Sequence, residues 1–486
     1  MLAQLTVSSA LAKTLRAEHL LVLLPKGKTL SRDVPQRELL AAVLKRRSIK
    51  LEELGDTPVT ANAPDGSLIV WAMIDFSKTN FAVQTQARKA MQMLLEEHPV
   101  SVTVVVQGND AQRQQAAEAA VYAVWVNGAQ LPTHKKQVNK NKIQHKLLQK
   151  IVLYGFAENK SFAALKAQAE GNLLCRTLTM LPPNELTPTL YRKRVKELAR
   201  QRGWQFKEFD LKALRKMGAG AFVAVAQGSY DEDAAIVCLS YKHPKAKQTV
   251  ALVGKGICFD TGGHNLKPAR YMHGMHEDMN GSAVALGIFS AATQQKLPVN
   301  IYCWLAIAQN HIGPLAYKQN DIVKALNGTT IEIMHTDAEG RMVLADTLTL
   351  ASREKPDLLI DFATLTGSMA VALGARYSGV LGNREELLQQ AVQAGQQSGD
   401  RICVFPMDDD YEPALDSKVA DIKQCTLDGD ADHILAARFL KHFVEHDTPW
   451  LHVDLSASRC EGGLGSVAGD VTGFGVAWGL RMLQVK

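Results

Sequence analysis

Short apolar runs alternate with amphipathic stretches through the first third of the chain. The runs have the length and β-branched content of buried strands, and the stretches between them have helical periodicity. The predicted strands cover 19–24, 68–73 and 100–106, and the predicted helices cover 84–97 and 111–126. Alternation of this kind predicts a small α/β domain.

A longer pattern of the same kind fills the rest of the chain. A helical stretch over 161–180 ends at Pro182 and Pro183, and we expect it to join two domains. The later strands are expected at 234–240, 250–253, 299–306, 330–333, 358–362 and 451–455, and the helices at 282–294, 343–352 and 431–445. This order predicts a larger α/β domain with a central, mainly parallel sheet covered on both faces. The predicted division is an N-terminal α/β domain over 1–155, a linker helix over 156–185 and the larger domain over 186–486.

Composition is that of an ordinary globular protein. Of the 486 residues, 46% are apolar and 21% are charged, and no apolar run approaches the ~20 residues that span a bilayer. The seven cysteines form no C-x-x-C pair and lie mostly in apolar surroundings, which indicates reduced thiols in a cytoplasmic protein. Any metal site is therefore expected to be rich in oxygen ligands and not a zinc–thiolate site.

A basic segment at 134–150 carries part of the net charge of +6. Charge runs of this kind are usually solvated surface, and we favour that interpretation. A nucleic-acid-binding patch is the alternative. This basic segment is the only feature of the sequence that supports a DNA-binding regulator.

The densest chemistry lies in the segment 335–346. Asp337, Glu339 and Arg341 occupy every second position there, so in an extended chain their side chains would point to one side. Two hard oxygen ligands beside a fixed positive charge suit a divalent metal that also holds an anion or a polar substrate.

An upstream segment, 253–279, supplies Lys255, Asp260, Lys267 and Asp278 just past the end of a predicted strand. Open α/β sheets place their sites at that edge. Together the two segments hold four carboxylates, enough for two metal ions about 3.5–4 Å apart. Two roles are open to each lysine. A neutral amine can ligate a metal if the site depresses its pKa, whereas an ammonium can stabilise an oxyanion.

These segments resemble those of the M17 family, the leucyl or cytosol aminopeptidases. The family signature N-T-D-A-E-G-R-L-x-L-A-D is matched except at His335 and Met342, and the block G-K-G…F-D-[ST]-G-G…K-P…M-x-x-D-M is matched with its spacing. Several long motifs in one order are far more specific than a lone short pattern. The resemblance covers roughly residues 165–486.

The resemblance implies a metalloprotease, a hydrolase with two divalent ions, Mn²⁺ or Zn²⁺. Asp260 and Glu339 would bridge both ions. Lys255 and Asp278 would complete one site, and Asp337 with its backbone carbonyl would complete the other.

Two cationic residues would serve the reaction without binding metal. Lys267 would hold the oxygen of the gem-diolate, and Arg341 would hold a bicarbonate ion that acts as general base. The side-chain pocket would be lined by Met275, Thr364, Leu365 and Gly367.

Several residues depart from the family pattern. Ser456 and Arg459 stand where the family has small or apolar residues. An inward Arg459 would weaken selection for leucine, whereas an Arg459 that points to solvent would leave the pocket apolar. The histidines of the site segments are each interpreted as loop or packing residues: His264, His273, His276 and His335.

We therefore predict a two-metal aminopeptidase that releases N-terminal residues from peptides. The resemblance implies a homo-hexamer, and nothing in the sequence indicates a membrane partner. The alternatives are the DNA-binding regulator and an inactive hexameric scaffold with the same fold. The complete ligand set argues against the scaffold.

Overall fold

The computed structural model describes residues 2–9, 15, 17–135, 147–156, 160–229 and 233–484. Its contacts divide the chain into two compact units. The first comprises Met1–Leu173, Gln396–Gly399 and Cys460–Thr472, and the second comprises Leu174–Gly395, Asp400–Arg459 and Gly473–Lys486. The predicted joining helix is present and spans Lys160–Thr179. The domain boundaries at 155 and 185 stay predictions.

The first unit is built on a six-stranded sheet. Its strands are β1 Gln4–Ser8, β2 His19–Pro25, β3 Val59–Asn62, β4 Leu68–Ile74, β5 Ser101–Val106 and β6 Lys150–Tyr154, in the order β1-β6-β5-β2-β4-β3. Its helices are α1 Arg37–Arg47, α2 Asn80–Leu95 and α3 Asp110–Gly128; the joining helix is α4. Only β3 is antiparallel to its neighbour. The strands and helices predicted here are confirmed, with ends shifted by a few residues.

The second unit holds an eight-stranded sheet and a small three-stranded one. The large sheet consists of β7 Gln205–Asp210, β8 Ala235–Tyr241, β9 Thr249–Asp260, β10 Asn300–Asn310, β13 Leu358–Ala363, β14 Ser378–Gly382, β15 Ile402–Val404 and β17 Trp450–Asp454. The small sheet consists of β11 Ile322–Lys324, β12 Thr330–Glu332 and β16 Ile422–Lys423. The helices are α5 Pro188–Arg202, α6 Leu211–Met217, α7 Gly220–Ala226, α8 Ala269–Met272, α9 Asn280–Gln295, α10 Glu339–Arg353, α11 Gly367–Leu373, α12 Glu385–Ser398, α13 Asp432–Lys441 and α14 Val476–Met482.

The large sheet has the order β15-β14-β17-β13-β9-β10-β8-β7. The four strands at its centre, from β17 to β10, are parallel, and β8 and β14 flank them as antiparallel neighbours. Helices α9 and α10 are almost entirely buried, as expected where helices cover a parallel sheet. The prediction of a mainly parallel sheet in a larger α/β unit is confirmed.

Strand β9 is longer than predicted. The apolar run 250–253 continues as a strand to Asp260, because Gly254 and the residues after it keep pairing with β10. A Cβ at Gly254 would lie 2.4 Å from Ser282 Cα, so glycine allows α9 to lie directly on the strand. The register shifts near the end, where Ile257 faces Ala308 and Asp260 faces Asn310. The prediction that Lys255 lies beyond its strand is therefore wrong.

Three further features bear on the sequence predictions. Within the described residues, no helix is long and apolar enough to cross a membrane. The seven cysteines are free, and all but Cys403 are buried. Most of the basic segment 134–150 lies outside the residues that the structure describes.

Candidate metal centre

Three of the predicted carboxylates meet at the end of β9. Asp260 is the last residue of that strand, Asp337 lies in a turn, and Glu339 is the first residue of α10. One carboxylate oxygen from each lies within 4.8 Å of the others. Such a cluster of oxygen ligands is suited to a divalent cation.

The local structure that produces this cluster differs from the expected one. The segment that carries Asp337, Glu339 and Arg341 is a turn followed by a helix, so the argument from an extended chain does not apply to it. An acidic residue at the first helical position is favourable because it faces the positive end of the helix dipole. The helix also begins four residues before the predicted start at 343. The convergence of the acids therefore comes from tertiary structure and not from alternation along a strand.

Lys255 connects the cluster to the fourth carboxylate. Its Nζ lies 2.8 Å from Asp278 Oδ2 and 2.9 Å from Glu339 Oε1, and it donates to the Thr364 carbonyl at 3.0 Å. The side chain is buried, and a Cβ at Gly340 would lie 2.7 Å from its Nζ. The amine is thus confined between two acids and the first turn of α10.

Lys267 lies on the other side of the cluster. Its Nζ is 2.9 Å from Asp260 Oδ2 and 2.7 Å from Asp337 Oδ1. The side chain is mostly buried, so these contacts are poorly screened by water. Each of the two lysines therefore pairs with two carboxylates, and the six side chains form one buried electrostatic network.

The pKa values of the network reflect burial and crowded charge. Burial lowers the pKa of Lys255, but the charges of Asp278, Glu339 and Asp260 outweigh burial and hold it well above its ordinary value. Burial, together with the charge of Asp260, raises the pKa of Glu339 to about 8, and burial raises that of Asp278 to about 6. Without added cations the lysines are ammonium groups, so the carboxylates alone do not produce the depressed pKa that an amine ligand requires.

A frame of buried hydrogen bonds positions Asp260. Asn310 is 1% exposed, and its Nδ2 donates to Asp260 Oδ1 at 2.8 Å and to the Thr336 carbonyl at 3.0 Å. The Tyr317 hydroxyl donates to the same carbonyl at 2.7 Å. Sequence reasoning missed these residues, although Asn310 gives a signal: it lies two residues after Ala308, where the apolar run of a predicted strand ends.

Arg341 is turned away from the carboxylates and into a separate pair of contacts. Its Nη2 lies 2.7 Å from Asp432 Oδ1, and its Nη1 donates to the Gln424 carbonyl at 3.0 Å. The side chain is 3% exposed. Sequence reasoning did not find Asp432, which lies at the start of α13, far along the chain.

One of the predicted pocket residues, Thr364, contacts both Lys255 and Asp278. Thr364 Oγ1 donates to Asp278 Oδ1 at 2.8 Å, and the Leu365 amide donates to Asp454 at 3.0 Å. Gly367 begins α11, and Met275 begins the short 3-10 helix that precedes Asp278. The structure thus brings Thr364 into direct contact with a predicted ligand.

The residues that depart from the family pattern make contacts outside the carboxylate cluster. Arg459 is 54% exposed and pairs with Glu277 at 2.5 Å, and Ser456 Oγ donates to the Tyr377 carbonyl at 2.6 Å. His264 Nδ1 lies 2.9 Å from the Tyr317 carbonyl, and His335 Nδ1 accepts from the Asp337 amide at 3.2 Å. His273 is exposed, and His276 lies 4.0 Å from Glu277.

The chemistry of this donor set fits divalent cations. Three carboxylates within 4.8 Å of one another repel when ionised, and the charge of Asp260 adds to burial in raising the pKa values of Glu339 and Asp337. Cations placed among them would relieve the repulsion. Oxygen donors with an amine available favour zinc, manganese or cobalt over magnesium or calcium.

Comparison with known proteins agrees with this geometry. Residues 173–478, well over half of the chain, match the model of the cytosol aminopeptidase family, catalytic domain. A probable cytosol aminopeptidase of Stutzerimonas stutzeri is 42% identical over 335 residues, 67% of each chain. One of Afipia carboxidovorans is 37% identical over 395 residues, 79% of this chain and 76% of that one.

A solved structure extends the likeness to nearly the whole chain. The bottromycin maturation enzyme BotP in complex with Mn superimposes with a TM-score of 0.82 at 29% identity, covering 96% of this chain and 99% of that one. The family match, the relatives and the carboxylate cluster point the same way. The chain belongs to the cytosol aminopeptidase family, M17, whose members are metal-dependent peptide hydrolases.

Proposed function

We propose that this aminopeptidase uses a dinuclear metal site built from Lys255, Asp260, Asp278, Asp337 and Glu339. The observation that carries the proposal is the meeting of three carboxylates within 4.8 Å, with Lys255 joining Asp278 to the same cluster. The arrangement supports two neighbouring positions. Lys255 joins Asp278 to Glu339, and Lys267 joins Asp260 to Asp337.

The bound ions, Mn²⁺ or Zn²⁺, would supply Lewis acidity, activating a water and polarising the scissile carbonyl. The manganese named with BotP belongs to that enzyme and supports manganese as the first ion to test here. The chain's own part is to hold the ligands rigidly. Asn310 fixes Asp260, and Thr364 fixes Asp278.

Lys267 is proposed as the group that stabilises the developing oxyanion. Its ammonium is already inside the cluster, 2.7 Å from Asp337 and 2.9 Å from Asp260. When cations neutralise those carboxylates, the ammonium becomes available to a substrate oxygen. A fixed positive charge in a dry site stabilises such an oxygen without reorganisation.

Substrate selection is assigned to the pocket of Met275, Thr364, Leu365 and Gly367. The pocket adjoins Asp278 through Thr364, so a side chain held there would lie next to the metal ligands. The substrates are peptides with a free N-terminus, and the preference for leucine-like residues is part of the proposal. The homo-hexamer and the cytoplasmic location rest on the family resemblance.

Bicarbonate at Arg341 is the least supported of the groups that the resemblance implies. The terminal nitrogens of the guanidinium already contact Asp432 and the Gln424 carbonyl. An added anion would have to bind next to the Asp432 carboxylate. The residues present therefore do not fit bicarbonate, and no step of the proposed mechanism depends on it.

The test is hydrolysis of leucine, glutamate and arginine amides by the purified full-length chain. Activity should disappear after chelation and return with Mn²⁺ or Zn²⁺. Glu339→Gln should remove turnover in the folded protein, whereas Asp430→Asn, at an exposed acid outside the cluster, should leave it intact. Near wild-type turnover by Glu339→Gln under controlled metal would show that the site is wrongly assigned.

A further inference from the structure

Arg341 is a buried cation whose counter-charge comes from the chain itself. The guanidinium is 3% exposed, and Asp432 Oδ1 lies 2.7 Å from its Nη2. Burial lowers the pKa of Arg341, but the Asp432 charge outweighs burial and raises it. A charge-assisted contact of this length to a buried guanidinium is among the strong hydrogen bonds of proteins.

The Asp432 carboxylate is held in place from two directions. It is the first residue of α13, where an acid is favoured by the helix dipole. The segment that leads to α13 is fastened by Gln424, which is fully buried. The Gln424 side chain accepts from the amides of Met334 and His335, at 2.9 and 3.1 Å, and donates to the Ala338 carbonyl.

Gln424 therefore links Arg341 to the turn that carries Asp337. Its backbone carbonyl accepts from Arg341 Nη1, and its side chain holds the backbone of the residues on either side of Asp337. A displacement of Arg341 would therefore shift Gln424 and, through it, the backbone of that turn. Arg341 also lies two positions after Glu339 in the first turn of α10.

We infer that the Asp432 carboxylate is the resident anion of Arg341 and takes the place that the family resemblance gives to bicarbonate. Asp432 is a positioning residue, because it acts through Arg341 and through the turn that Gln424 holds. The inference rests on the proposed function for its catalytic readout. It predicts turnover that does not depend on an added small anion.

Electrostatics favours one anion at this position. A bicarbonate beside the Asp432 carboxylate would place two negative charges on one guanidinium in a poorly screened environment. Among the described residues, Arg341 Nε has no acceptor, but an anion bound to it would lie on the same guanidinium as the Asp432 carboxylate.

The experiment compares wild type, Asp432→Gly, Asp432→Asn and the control Asp430→Asn in carbonate-free buffer with and without millimolar bicarbonate. Wild type and the control should have the same kcat in both buffers. Asp432→Gly opens space for a small anion, and its kcat should fall about 10–100-fold, the range for residues that orient metal ligands. Bicarbonate should restore most of that loss. Asp432→Asn should also be slow, but it should respond little because its side chain still fills the place.

Calorimetric titration with bicarbonate gives a readout that does not use activity. Saturable binding is expected for Asp432→Gly and none for wild type. The inference is overturned by saturable binding to wild type together with loss of its turnover in carbonate-free buffer. It is also overturned if folded Asp432→Gly neither binds bicarbonate nor loses kcat. A wild type that hydrolyses no amide with any metal contradicts the proposed function instead, and the titration still tests the role of Asp432.

Discussion

Lys267 Nζ lies 2.7 Å from Asp337 Oδ1, so an ammonium already occupies the carboxylate cluster. The same nitrogen lies 2.9 Å from Asp260 Oδ2. Its position between two proposed ligands raises the question whether Lys267 serves the metals or the reaction. Electrostatics gives a clear answer, because a cation does not assist the binding of other cations.

Lys267→Ala should lower kcat while the protein keeps both metal ions. Loss of one oxyanion-stabilising group typically costs about 10²–10³ in kcat, and removal of the ammonium lowers the repulsion that incoming cations meet. Steady-state kinetics and elemental analysis of the same preparation would check this. Lys318→Ala, at an exposed pair with Asp321, is the control. A missing metal ion in the Lys267 variant would make that residue a ligand.

Gly340→Ala should displace Lys255 and weaken metal binding at its end of the cluster. The new Cβ would lie 2.7 Å from both Cε and Nζ of Lys255, closer than such atoms pack. The lysine is held by Asp278 and Glu339, so it can yield only by losing one of them. Metal titration of the chelated protein measures the effect, with Gly27→Ala, where the nearest atom would lie 3.8 Å from the new Cβ, for comparison. Equal metal stoichiometry and affinity in both variants would contradict it.

Chelation should abolish turnover without unfolding the protein. Lys255 and Lys267 pair with all four carboxylates when cations are absent. The two ammonium groups therefore compensate part of the negative charge of the metal-free cluster. Metal should nonetheless raise the melting temperature, since a ligand at 100 times its Kd adds about 2.7 kcal/mol. Far-UV circular dichroism and thermal melts with and without Mn²⁺ would check both statements. Loss of the folded signal on chelation would show that the lysines do not compensate the acids.

Asp346→Asn should change how stability depends on pH. Asp346 accepts from the amides of Phe222 and Leu326, and its burial raises its pKa from the ordinary 3.8 to about 7. A raised folded pKa gives stability that is present below pH 4 and is lost as pH rises through 7. The variant cannot ionise, so its free energy of unfolding should rise relative to wild type between pH 4 and about 7.5. Denaturant titrations of both proteins would test this, and a constant difference across that range would refute it.

Arg459→Met should leave the order of preference among leucine, glutamate and arginine amides unchanged. Arg459 is 54% exposed and pairs with Glu277, and exposed ion pairs contribute only about 0.2–1 kcal/mol. Ratios of kcat/KM for the three amides are the measurement. A reversal of the order in this variant would place the guanidinium in the pocket.

Much of the fold could be predicted from the sequence because buried strands leave long apolar runs. The ends of the strands and helices were harder to predict. β9 continues past its apolar run because Gly254 and Gly256 keep pairing with β10 despite the low strand propensity of glycine. Glu339 begins a helix, although its alternation with Asp337 and Arg341 would place the three on one side of an extended chain. Local patterns do not encode which backbone groups will find partners.

The residues of the candidate site also fall into those that the sequence could identify and those that it could not. Asp260, Asp278, Asp337 and Glu339 could be found because their motifs are long and locally continuous. Asp432 could not, since its contact with Arg341 depends on how the segment before α13 is fastened by Gln424. Contacts of this kind between distant parts of the chain follow only from the folded structure.

The register shift in β9 has a consequence for how the ligands are arranged. In a regular strand, residues an odd number of positions apart point to opposite faces, and Lys255 and Asp260 are such a pair. Between Ile257 and Asp260, β9 carries one residue more than β10 does between Ala308 and Asn310, which is a β-bulge. The extra residue reverses the alternation and returns Asp260 to the face of Lys255. The two proposed ligands thus share a face through a backbone irregularity, and removing one residue there would turn the carboxylate away while leaving the strand paired.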